Sequence, residues 1–183
     1  MLNPTDKLPS MRLGEDLCAL ALRGVIGQAL KAGRQPLIRG LPEQRLQAVL
    51  ATLAIPFPGA GFAADTGAWT PDDDGDEFAD LLDLLLENLA LPDESGICLC
   101  HAIATAAMGA DHLWQDMGLP SRTVLSDLLR EHFPVLAAKN VGDMKWKKFF
   151  YRQLCERAGV PICKAPHCAE CCDRALCFGP EEG

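Results

Sequence analysis

The sequence predicts an all-α fold. Three observations carry that expectation. Leucine- and alanine-rich stretches repeat their apolar residues at spacings of three and four, Gly- and Pro-containing breaks separate them, and no alternating strand pattern of useful length occurs. Segment 12–32 reads as a helix from Leu13, Leu17, Leu20, Val25 and Leu30, with Gly33 as its stop. Segment 42–54 reads as a shorter one, with Pro42 near its first turn and Leu46, Val49, Leu50 and Leu53 on one face. Residues 56–76 read as a flexible loop holding prolines, glycines and the run Asp72-Asp73-Asp74. That run lacks the full spacing of a calcium loop and suits a solvated segment.

A helix is expected over 77–90, where Phe78, Leu81, Leu82, Leu84 and Leu85 give a wide apolar face, and another over 95–108. Ser121 is suited to cap a helix over 122–132, which Pro134 ends or restarts. The last long helix is expected over 143–157. Trp146, Phe149, Phe150 and Leu154 fall on one side as core, and Lys145, Lys148 and Arg152 on another. Gly159, Val160 and Pro161 stop it. The expected organisation is a helical domain over 1–160 followed by a cysteine-rich C-terminal segment over 161–183.

Chemistry concentrates in that segment. Five of the nine cysteines lie between Cys163 and Cys177, and Cys163, Cys168, Cys171 and Cys177 read C-x4-C-x2-C-x5-C. Thiolates at this density suit a soft metal or a metal–sulfur cluster. The spacing Cys163-x4-Cys168-x2-Cys171 equals that of the first three ligands of a plant-type ferredoxin run, and Cys177 can supply a fourth ligand. A zinc knuckle using Cys163, Cys168, Cys171 and either Cys177 or His167 is the alternative. Disulfides fit less well, because the start Met-Leu-Asn-Pro-Thr-Asp does not read as a secretory signal and the adjacent Cys171 and Cys172 pair poorly. Cys172 is either a spare thiol or one that trades places with Cys171.

The segment hangs off the C-terminal end of the last long helix, whose dipole is negative there. Arg157, Lys164 and Arg174 would have to compensate for an anionic cluster. Residues 144–177 hold seven Lys or Arg against three Asp or Glu, a local balance of +4 within a net charge of −8. That leaves −12 on the remainder, and the net −8 argues against general nucleic-acid binding. The 49% hydrophobic content suits one globular domain, which at 183 residues buries roughly 70% of its unfolded surface. No uninterrupted apolar run reaches the length of about 18 residues that a membrane span needs, so a cytoplasmic location is expected.

The run Met144-Lys-Trp146-Lys-Lys-Phe149-Phe150-Tyr151-Arg-Gln-Leu-Cys155-Glu156, the cysteine quartet and the tail Phe178-Gly179-Pro180-Glu181-Glu182-Gly183 together resemble the NifQ family. His112-Leu-Trp114-Gln-Asp116-Met-Gly118-Leu resembles it too, as does His132-Phe133-Pro134 followed by Asn140, so the resemblance covers about residues 98–182. It implies a molybdenum-containing iron–sulfur cluster, or a [4Fe-4S]-like precursor, held by Cys163, Cys168, Cys171 and Cys177. It implies a carrier rather than a turnover enzyme, one that donates molybdenum for biosynthesis of the nitrogenase iron–molybdenum cofactor. The implied receivers are the NifEN scaffold and the NifH iron protein, and the implied suppliers are an iron–sulfur cluster donor and molybdate or a molybdenum donor. An iron–sulfur electron carrier and a zinc-stapled interaction module remain as other classes.

Residues outside the quartet offer further candidates. A nitrogen or oxygen ligand from His112 or His167 could complete a molybdenum shell. His112 and Asp116, four apart, suit a carboxylate-oriented histidine or a structural His–Asp pair. Cys98 and His101 could share a helix face as a second metal site, or be buried packing residues. Lys145, Lys147, Lys148 and Arg152 could attract molybdate or an acidic partner, or form a solvated face. Cys155 reads as packing. No phosphate-binding Gly-rich loop, Ser-His-Asp pattern or H-E-x-x-H is present.

Overall fold

The computed structural model describes residues 15–56, 75–159 and 174–181. Every regular element among them is a helix: α1 Glu15–Lys31, α2 Glu43–Thr52, α3 Gly75–Asn88, α4 Glu94–Ala107, α5 Leu113–Asp116, α6 Arg122–His132, α7 Pro134–Ala138, α8 Trp146–Arg157 and α9 Arg174–Phe178. The fold is all-α, as the sequence predicts.

The core forms around α4. Cys98, Leu99, Cys100, Ala102, Ile103, Ala104, Ala106 and Ala107 are all buried, so this helix is apolar over most of its circumference and must be largely enclosed. Its small residues let neighbours approach closely. α1 packs on it through a face that buries Ala21, Val25 and Ile26, and α3 through one that buries Leu81 and Leu85; α2 and α5 also touch it. Asp93 caps it, accepting from the Gly96 N–H at 2.7 Å.

α6 contributes Leu125, Leu128 and Leu129 and packs with α5 and α7. α8 lies against α3 and buries Trp146, Phe149 and Phe150. Trp146 and Phe149 meet edge to face at 5.6 Å, and the Trp146 indole N–H donates to Ser126 Oγ at 3.0 Å. That bond satisfies a polar group that would otherwise be stranded in the core. The expectation that these aromatics are core therefore holds.

Helix boundaries differ from the periodicity where distant groups intervene. α8 starts at Trp146, not 143. The Asn140 side chain donates to the Met144 carbonyl at 2.9 Å and accepts from the Met144 N–H at 2.8 Å, so 140–144 close into a turn, with Asp143 at φ +53°. α3 starts at Gly75, inside the stretch expected to be loop, and ends at Asn88. The Ala90 N–H then bonds the His132 carbonyl at 2.9 Å, pulling the chain away from the helix axis towards the end of α6. Pro134 opens a new helix, α7, at a position where its missing N–H is harmless. Gly159 takes φ +68°, a left-handed stop as the sequence suggests. Residues 57–74 of the expected loop, its acidic run among them, lie outside the described residues.

Candidate metal-transfer site and the docked tail

Of the quartet, Cys163, Cys168 and Cys171 lie outside the described residues, as do His167 and Cys172. Cys177 is described. It sits in α9 as a free, partly buried thiol packed at the rim of the core. Its carbonyl accepts from the Lys145 N–H at 2.8 Å, where α8 begins. The sequence places the cysteine segment after the C-terminal, negative end of α8. The tail instead carries Cys177 back to the opposite end, where the helix dipole is positive.

Several contacts hold this tail. The ring of Phe178 lies over Gly142, so close that a Cβ there would sit 3.0 Å from it. The Gly179 N–H closes onto the Ala175 carbonyl at 2.8 Å. The Glu181 side chain is only 5% exposed, between Arg122 Nε at 3.4 Å and His112 Nδ1 at 4.0 Å. The same Arg122 grips the turn before α8. Its Nη1 and Nη2 donate to Asp143 Oδ2 and Oδ1 at 2.7 and 2.9 Å, and Nη2 also reaches the Met144 carbonyl at 3.2 Å. One guanidinium thus joins the 140–145 turn to the C-terminal tail, using the planar fork that lysine lacks.

Beside this junction is an open cleft of about 440 Å³. Lys145, Lys147 and Lys148 line one side, His112 and Gln115 another, and Leu176 and Glu181 of the tail a third. Lys147 is fixed in place: its ammonium donates to the Asp116 carboxylate and to the Gly109 carbonyl, the latter at 2.8 Å. A side chain on Gly109 would overlap the Asp116 carboxylate, so the glycine makes room for the pair. Among the described residues, no carboxylate pairs with Lys145 or Lys148. These two ammoniums give the cleft its cationic character.

The structure corrects two expectations about this region. His112 and Asp116 do not form a pair. His112 is the N-cap of α5 and faces Glu181, while Asp116 at the end of that short helix is claimed by Lys147. The Lys/Arg group does not act as one patch either. Lys145, Lys147 and Lys148 share the cleft, whereas Arg152 donates to Glu156 at 2.7 Å and lines a separate depression with Asn140 and Phe178.

Cys98, Cys100 and His101 are not gathered into a metal site among the described residues. Among the described residues no group of three or more His, Cys, Asp or Glu is arranged to hold an ion. Burial pushes the Cys100 thiol up to about 12 and that of Cys98 upward, which keeps both protonated. Cys18 on α1, also buried, is pushed to about 12 by the same cause, aided by Asp93. The His101 ring donates from Nδ1 to the Arg39 carbonyl at 3.0 Å, and burial lowers its pKa from 6.5. These are packing residues, as the milder reading of the sequence has it. The Arg122–Glu181 contact went unread, because no spacing rule links an arginine at a helix start to a glutamate in the tail.

The NifQ family model matches residues 21–179, which include all four quartet cysteines and extend the likeness well beyond residue 98 into the N-terminal helices. Protein NifQ of Azotobacter vinelandii is 45% identical over 106 residues, covering 58% of this chain and 54% of that protein. The Protein NifQ homolog of Sinorhizobium fredii is 46% identical over 109 residues, covering 60% and 47%. Protein NifQ of Klebsiella pneumoniae is 46% identical over 81 residues, covering 44% and 48%. The chain spans about half the length of the curated relatives it matches. No solved structure matches it.

Proposed function

The chain belongs to the NifQ family, and on that premise we propose that it is a molybdenum–iron–sulfur cluster carrier of nitrogen fixation. It would donate molybdenum for assembly of the nitrogenase iron–molybdenum cofactor. The observation that carries this reading is the C-x4-C-x2-C-x5-C quartet inside the family match. The donor chemistry fits a cluster cargo. Four thiolates are the usual ligand set of an iron–sulfur cluster, and the one described member, Cys177, is a free thiol in the helix whose Leu176 lines the cleft with Lys145 and Lys148, which among the described residues pair with no carboxylate. Cations in that cleft would help to offset the negative charge of a thiolate-bound cluster.

The cluster is cargo, so the protein's task is to hold it and release it. Delivery is ligand exchange: each thiolate–metal bond that breaks is replaced by a bond to a ligand of the receiver, with no change in the protein's covalent structure. The receivers implied by the resemblance are the NifEN scaffold and the NifH iron protein. The suppliers are an iron–sulfur cluster donor and molybdate or another molybdenum donor. The cleft's Lys145 and Lys148 are placed to attract an incoming oxyanion. The reading places this work in the cytoplasm, where thiols stay reduced. Among the described residues no helix is long and apolar enough to cross a membrane.

The test is purification without oxygen, followed by measurement of molybdenum, iron, zinc and acid-labile sulfide per chain. Molybdenum with several irons and sulfides supports the reading. Iron and sulfide without molybdenum, in a chain that cycles redox state and retains its metal, replaces it with electron carriage. Zinc without sulfide replaces it with a structural module. In addition, Cys168→Ser should lower bound iron and molybdenum together, and full molybdenum transfer by that variant would contradict the proposal.

A further inference from the structure

Glu181 is an anomaly of placement. A carboxylate on a short tail would ordinarily face water, because burying an ion costs several kcal/mol unless it is paired. Here the side chain is 5% exposed, and the groups beside it are Arg122 Nε and His112 Nδ1. Arg122 is itself locked by Asp143 and by the carbonyls of Asp143 and Met144. The next residue, Lys145, supplies the N–H that holds the Cys177 carbonyl. An ion pair at 3.4 Å thus joins Glu181 to Arg122, and hydrogen bonds carry the connection on from Arg122 to the 143–144 backbone and from Lys145 to Cys177.

We propose that Glu181, acting through Arg122 and His112, is the positioning residue for the Cys177 thiol, holding α9 against the start of α8. The claim that a cluster benefits rests on the reading given under Proposed function; the latch itself does not. The geometry sets Glu181 apart from a residue that stabilises the whole fold. It adds nothing to the apolar core, and its contacts lie at the junction of tail, α5 and α6. Its loss should free α9 and leave α8 in place. The thiol of Cys177 would then be exposed by local opening, at a rate set by the latch rather than by global unfolding.

The sequence supplies a clean readout. Trypsin cleavage after Arg174 isolates Cys177 in peptide 175–183, and cleavage after Arg152 and Arg157 isolates Cys155 in peptide 153–157. The metal-free, reduced chain is treated with iodoacetamide, and the two peptides are followed by mass spectrometry. With Glu181→Gln, the Cys177 alkylation rate should rise about tenfold while Cys155 is unchanged, the size expected when a charge-assisted contact closing a local opening is lost. Adding Glu181→Gln to Arg122→Gln should give no further rise, since both break one latch. His112→Gln leaves the Arg122–Asp143 clasp intact and should give a smaller rise, which keeps the test available should Glu181→Gln not fold.

An unchanged Cys177 rate in Glu181→Gln overturns the proposal. So does a parallel rise at Cys155 and Cys177, which would assign Glu181 to global stability. Release of iron to a chelator from the loaded chain separates this result from the cluster reading. Faster release in Glu181→Gln supports both. Faster alkylation with unchanged iron content and release keeps the latch and removes Cys177 from the ligand set.

Discussion

Asp116 and Lys147 form an ion pair with little access to water, their side chains 12% and 16% exposed. Removing one partner leaves the other charge stranded, so Lys147→Met should destabilise the fold by about 2–3 kcal/mol, read from denaturant unfolding. Gly109→Ala puts a methyl group where the Asp116 carboxylate lies and should cost about 1–3 kcal/mol. The two substitutions strike the same pair, so their effects should fall short of additivity in a double-mutant cycle. His101 titrates in the opposite sense from a stabilising cation. Its folded pKa lies below 6.5, mainly through burial, so the unfolded chain takes up the proton first. That contribution to stability is complete above about pH 6.5 and is lost as pH falls towards the folded value. His101→Gln should flatten this acid limb of a stability–pH curve. The packing roles of His101, Cys98 and Cys100 were legible, because they sit in a run too apolar for any face but the core. The partner of Asp116 was not. Helical spacing suggested His112, whereas the cation that reaches it comes from α8, far along the chain.

At the level of elements, the long helices follow from periodicity, and their ends do not. α8 begins late because Asn140 and Arg122 hold the preceding turn, and α3 stops early because Ala90 is drawn to α6. Neither partner is a local signal. α5 and α9 are four and five residues long, too short for any periodic pattern to show. The caps were more readable: Ser121 accepts from the Val124 N–H at 3.3 Å as its sequence position suggests. Asp93→Ala removes the cap of the central helix and should lower stability by about 1 kcal/mol. Phe150→Ala opens a void beneath α8, where the ring is 1% exposed, and should cost about 3–5 kcal/mol. Thermal or denaturant unfolding separates the two easily.

For the whole molecule, the division of labour among cysteines is the testable point. Cys18, Cys98 and Cys100 are core residues with thiols pushed upward by burial, whereas Cys177 is partly buried in α9. On the proposed function, Cys100→Ala should leave metal content unchanged, while Cys177→Ser should lower iron and molybdenum together, as measured by elemental analysis of protein prepared without oxygen. The cysteine spacing was plain in the sequence, since five cysteines crowd into one short segment. What the sequence could not convey is that the last of them returns to the start of α8. That depends on tertiary bonds to Lys145, Gly142 and Arg122.

Arg122 has a consequence of its own. A single guanidinium clasps Asp143 in the turn before α8 and faces Glu181 in the tail, so neither segment can detach without disturbing a bond of the other. The two should behave as one cooperative unit. In native-state hydrogen exchange, the amides of Met144, Lys145 and Gly179 should then share one opening free energy, below that of the α4 amides. Arg122→Lys keeps the charge but offers one nitrogen to two acids, and it should split this unit into two that open independently.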